Sequence, residues 1–191
     1  MRWRRSIGAI AVALLGCGAA AAGPPQPSLF PLGDGNRWTF RSMTLGGART
    51  VALEQRPGGL VLNGFPGVGP LRVRTTGKTV EAWDAAEQRW EALLRFGAPT
   101  DSAYRVSLSE APLWRGVVVT VTSKQATVRG SGGRAYRACT RFTLRPPAKL
   151  ADAGVLELSF APGVGPVRWV EQSIDGPREW ALASYRPGTT G

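Results

Sequence analysis

The chain has 191 residues, with 24 Lys plus Arg against 13 Asp plus Glu, two cysteines and no histidine. That length can bury a core of ordinary size, and a 43% hydrophobic content with seven Trp makes the chain globular despite 25 Gly and 15 Pro. The lack of histidine excludes Ser-His and Cys-His catalysis, His metal sites and imidazole pH sensing.

The first 22 residues read as an export signal. Arg2, Arg4 and Arg5 precede an apolar run at 7–15 that is too short to span a bilayer. The Arg4-Arg5 pair also fits a twin-arginine signal. The run ends in Leu14-Leu15-Gly16-Cys17, which resembles a bacterial lipobox. That resemblance implies a signal peptide over 1–16 and a mature chain that starts at lipidated Cys17. Several acyl chains on one residue, palmitate among them, anchor stably where one does not. Gly18 after the cysteine, rather than Asp, implies sorting to the outer membrane. The alternative is cleavage after Ala20-Ala21-Ala22, giving a soluble periplasmic or secreted protein. Removing Arg2, Arg4 and Arg5 lowers the net charge from +11 to +8, and arginine outnumbers lysine 21 to 3. With Cys17 acylated, Cys139 has no intrachain partner.

A Pro-rich tether over 17–27 leads into a single all-β domain expected at 28–187, with a tail at 188–191. Short strands separated by Gly and Pro turns are predicted at 38–45, 49–55, 60–62, 71–75 and 79–83. Further strands follow at 114–124, 134–144, 155–160, 167–174 and 179–185. Between them, 81–96 fits either a helix or a hairpin turning at 84–88, and the strands on both sides favour the hairpin. A second short helical candidate lies at 148–153. The predicted class is all-β and antiparallel, a sandwich or partly open barrel of about ten to thirteen strands. Trp38, Phe40, Trp83, Trp90, Phe142, Phe160, Trp169 and Trp180 are the expected core aromatics, and residues from 186 onward are expected to be loose.

One stretch recurs. Phe65-Pro66-Gly67-Val68-Gly69-Pro70-Leu71-Arg72 returns as Phe160-Ala161-Pro162-Gly163-Val164-Gly165-Pro166-Val167-Arg168. This is either one tight turn used twice or the mark of two related lobes. No Lys-Ser/Thr follows the glycines and no helix opens after them, which favours a structural turn over a phosphate loop. The second copy, together with Phe30-Pro31-Leu32-Gly33-Asp34-Gly35-Asn36-Arg37-Trp38-Thr39-Phe40, resembles a group of uncharacterised bacterial secreted proteins and lipoproteins. The resemblance covers both ends of the mature chain. It implies an all-β envelope protein and brings no activity or site residues.

Candidate chemistry is sparse. Asp84, Glu87 and Glu91 form the one acidic cluster, which a glycan hydrolase would use as acid and base; a solvated turn accounts for it more simply. Ser123 and Lys124 are adjacent in a strand, so they point to opposite faces and form no dyad. Cys139 reads either as a thiolate activated by neighbouring arginines or as a small buried hydrophobe. Alternation puts Arg137, Arg141 and Arg145 on one strand face with Cys139 among them, and the arginines about 13 Å apart. That row is the candidate surface for anionic lipid or glycan, with solubilisation of an outer face as the plainer reading. No cofactor and no metal are expected. The reading is therefore a non-enzymatic envelope lipoprotein, with a carboxylate-dependent hydrolase of envelope glycans as the alternative. Its partners are the membrane through the anchor and an anionic lipid, a glycan or another envelope protein, not nucleic acid.

Overall fold

The computed structural model describes residues 27–147 and 153–188. The signal, Cys17, nearly all of the tether, the end of the tail and nearly all of the helical candidate at 148–153 lie outside the described residues. Twelve strands form one sheet: β1 (Arg37–Ser42), β2 (Ala48–Arg56), β3 (Gly59–Asn63), β4 (Leu71–Thr76), β5 (Thr79–Asp84), β6 (Arg89–Arg95), β7 (Ala103–Val106), β8 (Val117–Arg129), β9 (Ala135–Arg145), β10 (Gly154–Ala161), β11 (Gly165–Ser173) and β12 (Gly176–Arg186). Their spatial order is β6-β5-β4-β3-β2-β1-β12-β11-β10-β9-β8-β7, and every neighbouring pair is antiparallel. The sheet curls into a nearly closed barrel, which is the barrel form of the expected class. Among the described residues no helix is long and apolar enough to cross a membrane.

The two ends of that order, β6 and β7, meet without a ladder. Tyr104 on β7 joins them instead: its hydroxyl accepts the Arg95 N–H at 3.0 Å and donates to the Leu93 carbonyl at 3.3 Å. Burial pushes the Tyr104 phenol up to about 12, so the bridging proton stays in place. One side chain thus satisfies backbone groups that an open edge leaves bare.

Strand alternation fills the interior. Val117, Val119 and Val121 of β8 point inward while Thr120 and Thr122 point outward. Twelve strands enclose more space than an eight-stranded barrel fills with side chains alone. Large aromatics make up the difference, and all six phenylalanines are buried. Phe30 enters from the segment before β1 and packs against Trp38, Phe65 and Phe160 at 5.4–6.1 Å. Trp114, on a 3-10 turn at Pro112–Trp114, is fully buried; Pro112 starts that turn, and strand β8 begins three residues after Trp114 rather than at it.

Two core expectations need correction. Trp83 and Trp90 are only half-buried, because β5 turns Val80 and Ala82 inward and leaves Trp83 on the outer face. There the two indoles pair edge to face at 5.4 Å. The chain end is also held longer than expected. Arg186 belongs to β12, and the Tyr185 hydroxyl and the Gly188 N–H both donate to Asn36 Oδ1.

The recurring stretch is one turn used twice. Val68 N–H bonds the Phe65 carbonyl and Val164 N–H bonds the Ala161 carbonyl, with Gly67 and Gly163 at φ of 75° and 71°. Each turn is fixed by an indole: Trp114 Nε1 donates to the Pro66 carbonyl and Trp38 Nε1 to that of Val164. The first links β3 to β4 and the second β10 to β11, at opposite ends of the barrel. Two related lobes would place them at matching connections. They do not match.

Candidate functional site

The described end of the barrel that carries the β4–β5 and β10–β11 turns opens into a cavity of about 400 Å³. One wall is the segment 27–30, tied down where the Gly163 N–H donates to the Ser28 carbonyl at 2.8 Å. The β4–β5 turn brings Lys78, whose carbonyl accepts the Phe96 N–H at 2.9 Å. Phe30, Val80 and Phe96 supply apolar lining, and Phe96 is edge-on to Phe142 and Phe160 at 5.3 and 5.1 Å. The lining is therefore part of the packed core and is pre-formed.

The opposite wall comes from an irregularity in the β8–β9 pair. Between the partners Ser123↔Arg141 and Ala126↔Cys139, β8 has Lys124 and Gln125 against the single Thr140 of β9. Between Ala126↔Cys139 and Val128↔Tyr136 the excess reverses, with Arg137 and Ala138 opposing Thr127. Two opposed bulges place Lys124, Gln125, Ala138 and Thr140 together on the cavity. Ala138 has φ of 52°, a left-handed conformation that costs a non-glycine residue about 1 kcal/mol or more.

The bulges also overturn the expected position of Cys139. The inversion of strand parity at Ala138 turns the thiol inward, away from the arginine face. Its Sγ lies 3.4 Å from the Tyr136 carbonyl. Burial pushes the Cys139 thiol up, outweighing a Val128 backbone hydrogen bond and the Arg141 charge, which favours the small buried hydrophobe over an activated thiolate.

The arginine row is divided by the same bulges. Arg137 and Arg145 are exposed, while Arg141 is half-buried and pairs with Glu157 at 3.5 Å. Glu157 also takes Arg168 at 2.7 Å, and Arg168 grips Glu179 through Nε and Nη2 at 2.6 and 2.9 Å. The hydrogen bond from Arg168 holds the Glu179 carboxyl below its ordinary value against the opposing effect of burial. Elsewhere Arg74 pairs with Glu81 at 2.7 Å and stacks over Trp90 at 4.2 Å, and Arg72 lies 4.5 Å over Trp83.

The three acids singled out in the sequence do not line this cavity. Asp84 is 2% exposed, and its two oxygens accept the Glu87 N–H at 3.2 Å and the Ser109 N–H at 2.8 Å. Burial raises its carboxyl, but backbone donors from Ser109, Glu87 and Ala86 together carry it below the usual carboxylate range. Asp84 thus clips the β5–β6 turn to the segment before Trp114. Glu91 lies 3.7 Å from Arg89, and Glu87 is exposed on the turn. Among the described residues no three His, Cys, Asp or Glu side chains gather as a metal site.

No family model matches the chain, and no curated protein sequence does. Solved structures give two likenesses. A protein described as exported, with a YmcC-like fold, from Bacteroides fragilis shares 13% identity over 84% of this chain and all of its own, with a TM-score of 0.45. A protein described as a lipoprotein from Parabacteroides distasonis shares 10% identity over 85% of this chain and all of its own, with a TM-score of 0.40.

Sequence reasoning passed over Lys78, Thr140 and Ala138. The available signal was lysine scarcity: two of the three lysines flank one opening.

Proposed function

We propose that the chain is a non-enzymatic binding module of the bacterial cell envelope, anchored by acylation of Cys17 at the outer membrane and binding its partner at the barrel mouth. The observation that carries the binding role is the mouth cavity, which is pre-formed and lined by apolar and polar residues, with two lysines and no acidic residue. The Leu14-Leu15-Gly16-Cys17 run carries the anchor. Such a cavity suits a small anionic partner, and export makes nucleic acid an unsuitable ligand. A carboxylate hydrolase needs two acids roughly 5 to 9.5 Å apart across a cleft. Asp84 instead spends both oxygens on backbone donors, which favours the binding role.

Mass spectrometry of the mature N-terminus tests the anchor. The expected product starts at an acylated Cys17, and a free N-terminus at Gly23 would replace the anchored protein with a soluble one.

A further inference from the structure

Two of the chain's three lysines, Lys78 and Lys124, face one cavity in a protein whose other cations are overwhelmingly arginine. They come from the β4–β5 turn and the β8 bulge, 46 residues apart in sequence, so no local repeat brings them together. Among the described residues neither has an acid within ion-pair distance. Two like charges over a partly enclosed apolar space repel, and an anion between them removes that repulsion. The lining is mixed: half-buried Leu29 and Pro162 are apolar, buried Phe30 and Phe96 back them, and Thr75 and Gln125 are polar. Backbone strain at Ala138 and the opposed bulges fall on this wall, and Thr140, 2% exposed, adds a hydroxyl-bearing residue.

Resting on the binding-module reading, the geometry points to an anionic amphiphile as the ligand: an apolar tail along half-buried Leu29 and Pro162, which Phe30, Val80 and Phe96 back from the core, with a carboxylate or phosphate head between Lys78 and Lys124. Ammonium groups suit this task. Each is a compact point charge on a flexible stem and needs no bidentate fit. The volume lies within the range of small-molecule sites.

The test uses the full chain carrying Cys17→Ser, so that no acyl chain of its own competes. Laurate, titrated calorimetrically below its micelle concentration, is expected to bind at one site per chain. Dodecyltrimethylammonium has the same tail with a cationic head, and inorganic phosphate is a head without a tail; neither is expected to compete. Lys78→Gln and Lys124→Gln are each expected to weaken laurate about tenfold. Lys78 is exposed on a turn, so Lys78→Glu leaves the core intact and is expected to abolish binding. Equal binding of the two amphiphiles, or a double Lys→Gln variant with unchanged laurate affinity, overturns the assignment. Phosphate binding as tightly as laurate overturns its apolar half.

A second arm separates the sources of the head group. Lysine-dependent association with phosphatidylglycerol vesicles, and not with phosphatidylcholine vesicles, while laurate is silent, assigns the head to a bilayer lipid. Lysine-dependent laurate binding assigns it to a free amphiphile. Both results keep the shared chemistry. A chain that binds none of these probes but binds another envelope component loses this ligand and keeps the binding role. An unacylated Cys17 in the wild-type protein removes the anchor and leaves these titrations unaffected.

Discussion

The outer face around Arg168 and the mouth around Lys78 use positive charge in opposite ways. On the outer face Arg168 lies between Glu157 and Glu179, each within 2.7 Å, and Arg141 shares the first of these acids. Arg72 and Arg74 spread over Trp83 and Trp90. These cations are satisfied by the protein itself. At the mouth Lys78 and Lys124 have no acid partner among the described residues and share one cavity. A high net charge therefore does not locate a binding site; unpaired cations gathered on one cavity do.

Removing the most committed cation should have the largest effect. Arg168→Met leaves Glu157 and Glu179 close together without their shared counter-charge. The expected loss is about 2 kcal/mol in urea unfolding, below the value for a fully buried pair because the side chain is 22% exposed. An unchanged midpoint would erase the contrast between the two regions. The same group sets an acid dependence. The Arg168 hydrogen bond holds the folded Glu179 carboxyl below 4.5, so the folded chain binds that proton less readily than the unfolded chain. The stabilisation is complete above the ordinary glutamate value and is lost as pH falls through the depressed one. Arg168→Met should flatten the decline in stability on acidification below pH 4.5.

Tyr104→Phe removes the hydroxyl that spans β6 and β7, at an expected cost of about 1 kcal/mol. Hydrogen exchange at the Arg95 amide should accelerate more than at the Leu53 amide, which bonds the Asn36 carbonyl deep in the sheet. Equal acceleration at both would mean that the seam is not held there. Arg74→Gln, which loses a half-exposed ion pair and a stack on Trp90, should cost roughly 0.5 to 1 kcal/mol in the same unfolding assay. The smallest effect belongs to the mouth. Lys78→Gln with Lys124→Gln should leave stability within about 0.5 kcal/mol of the parent while ligand binding falls. A large destabilisation would show that these lysines are structural after all.

The strand pattern was legible because Gly and Pro mark the turns and because strands such as β8 alternate cleanly. The 81–96 hairpin was legible from its flanking strands. Strand β7 was missed: Ala103-Tyr104-Arg105-Val106 is short, and its tyrosine serves the seam rather than a regular ladder. Trp83 and Trp90 were misplaced because indoles read as core, whereas stacked guanidiniums shield them on an outer face. Cys139 was misplaced because period-two reasoning assumes an unbroken register, and three register shifts in the β8–β9 pair, with left-handed Ala138 beside the thiol, break it. The mouth was illegible for the same reason. Its lysines meet through a register defect and a distant turn, and neither carries a sequence signature.

The pairing of β1 with β12 has a kinetic consequence. The bond from Tyr185 to Asn36 spans 149 residues, and Trp38 stacks on Tyr185 at 5.3 Å across the same junction. Synthesis begins at the amino end, so β1 pairs with β2 at once, but its other edge stays bare until the last strand has emerged. Closure is then a non-local step with a high loop-closure entropy, the kind that makes β-rich chains fold slowly. During that interval the exposed edge of β1 is a template for foreign strands, and escape from mispairing depends on how fast the final strand arrives.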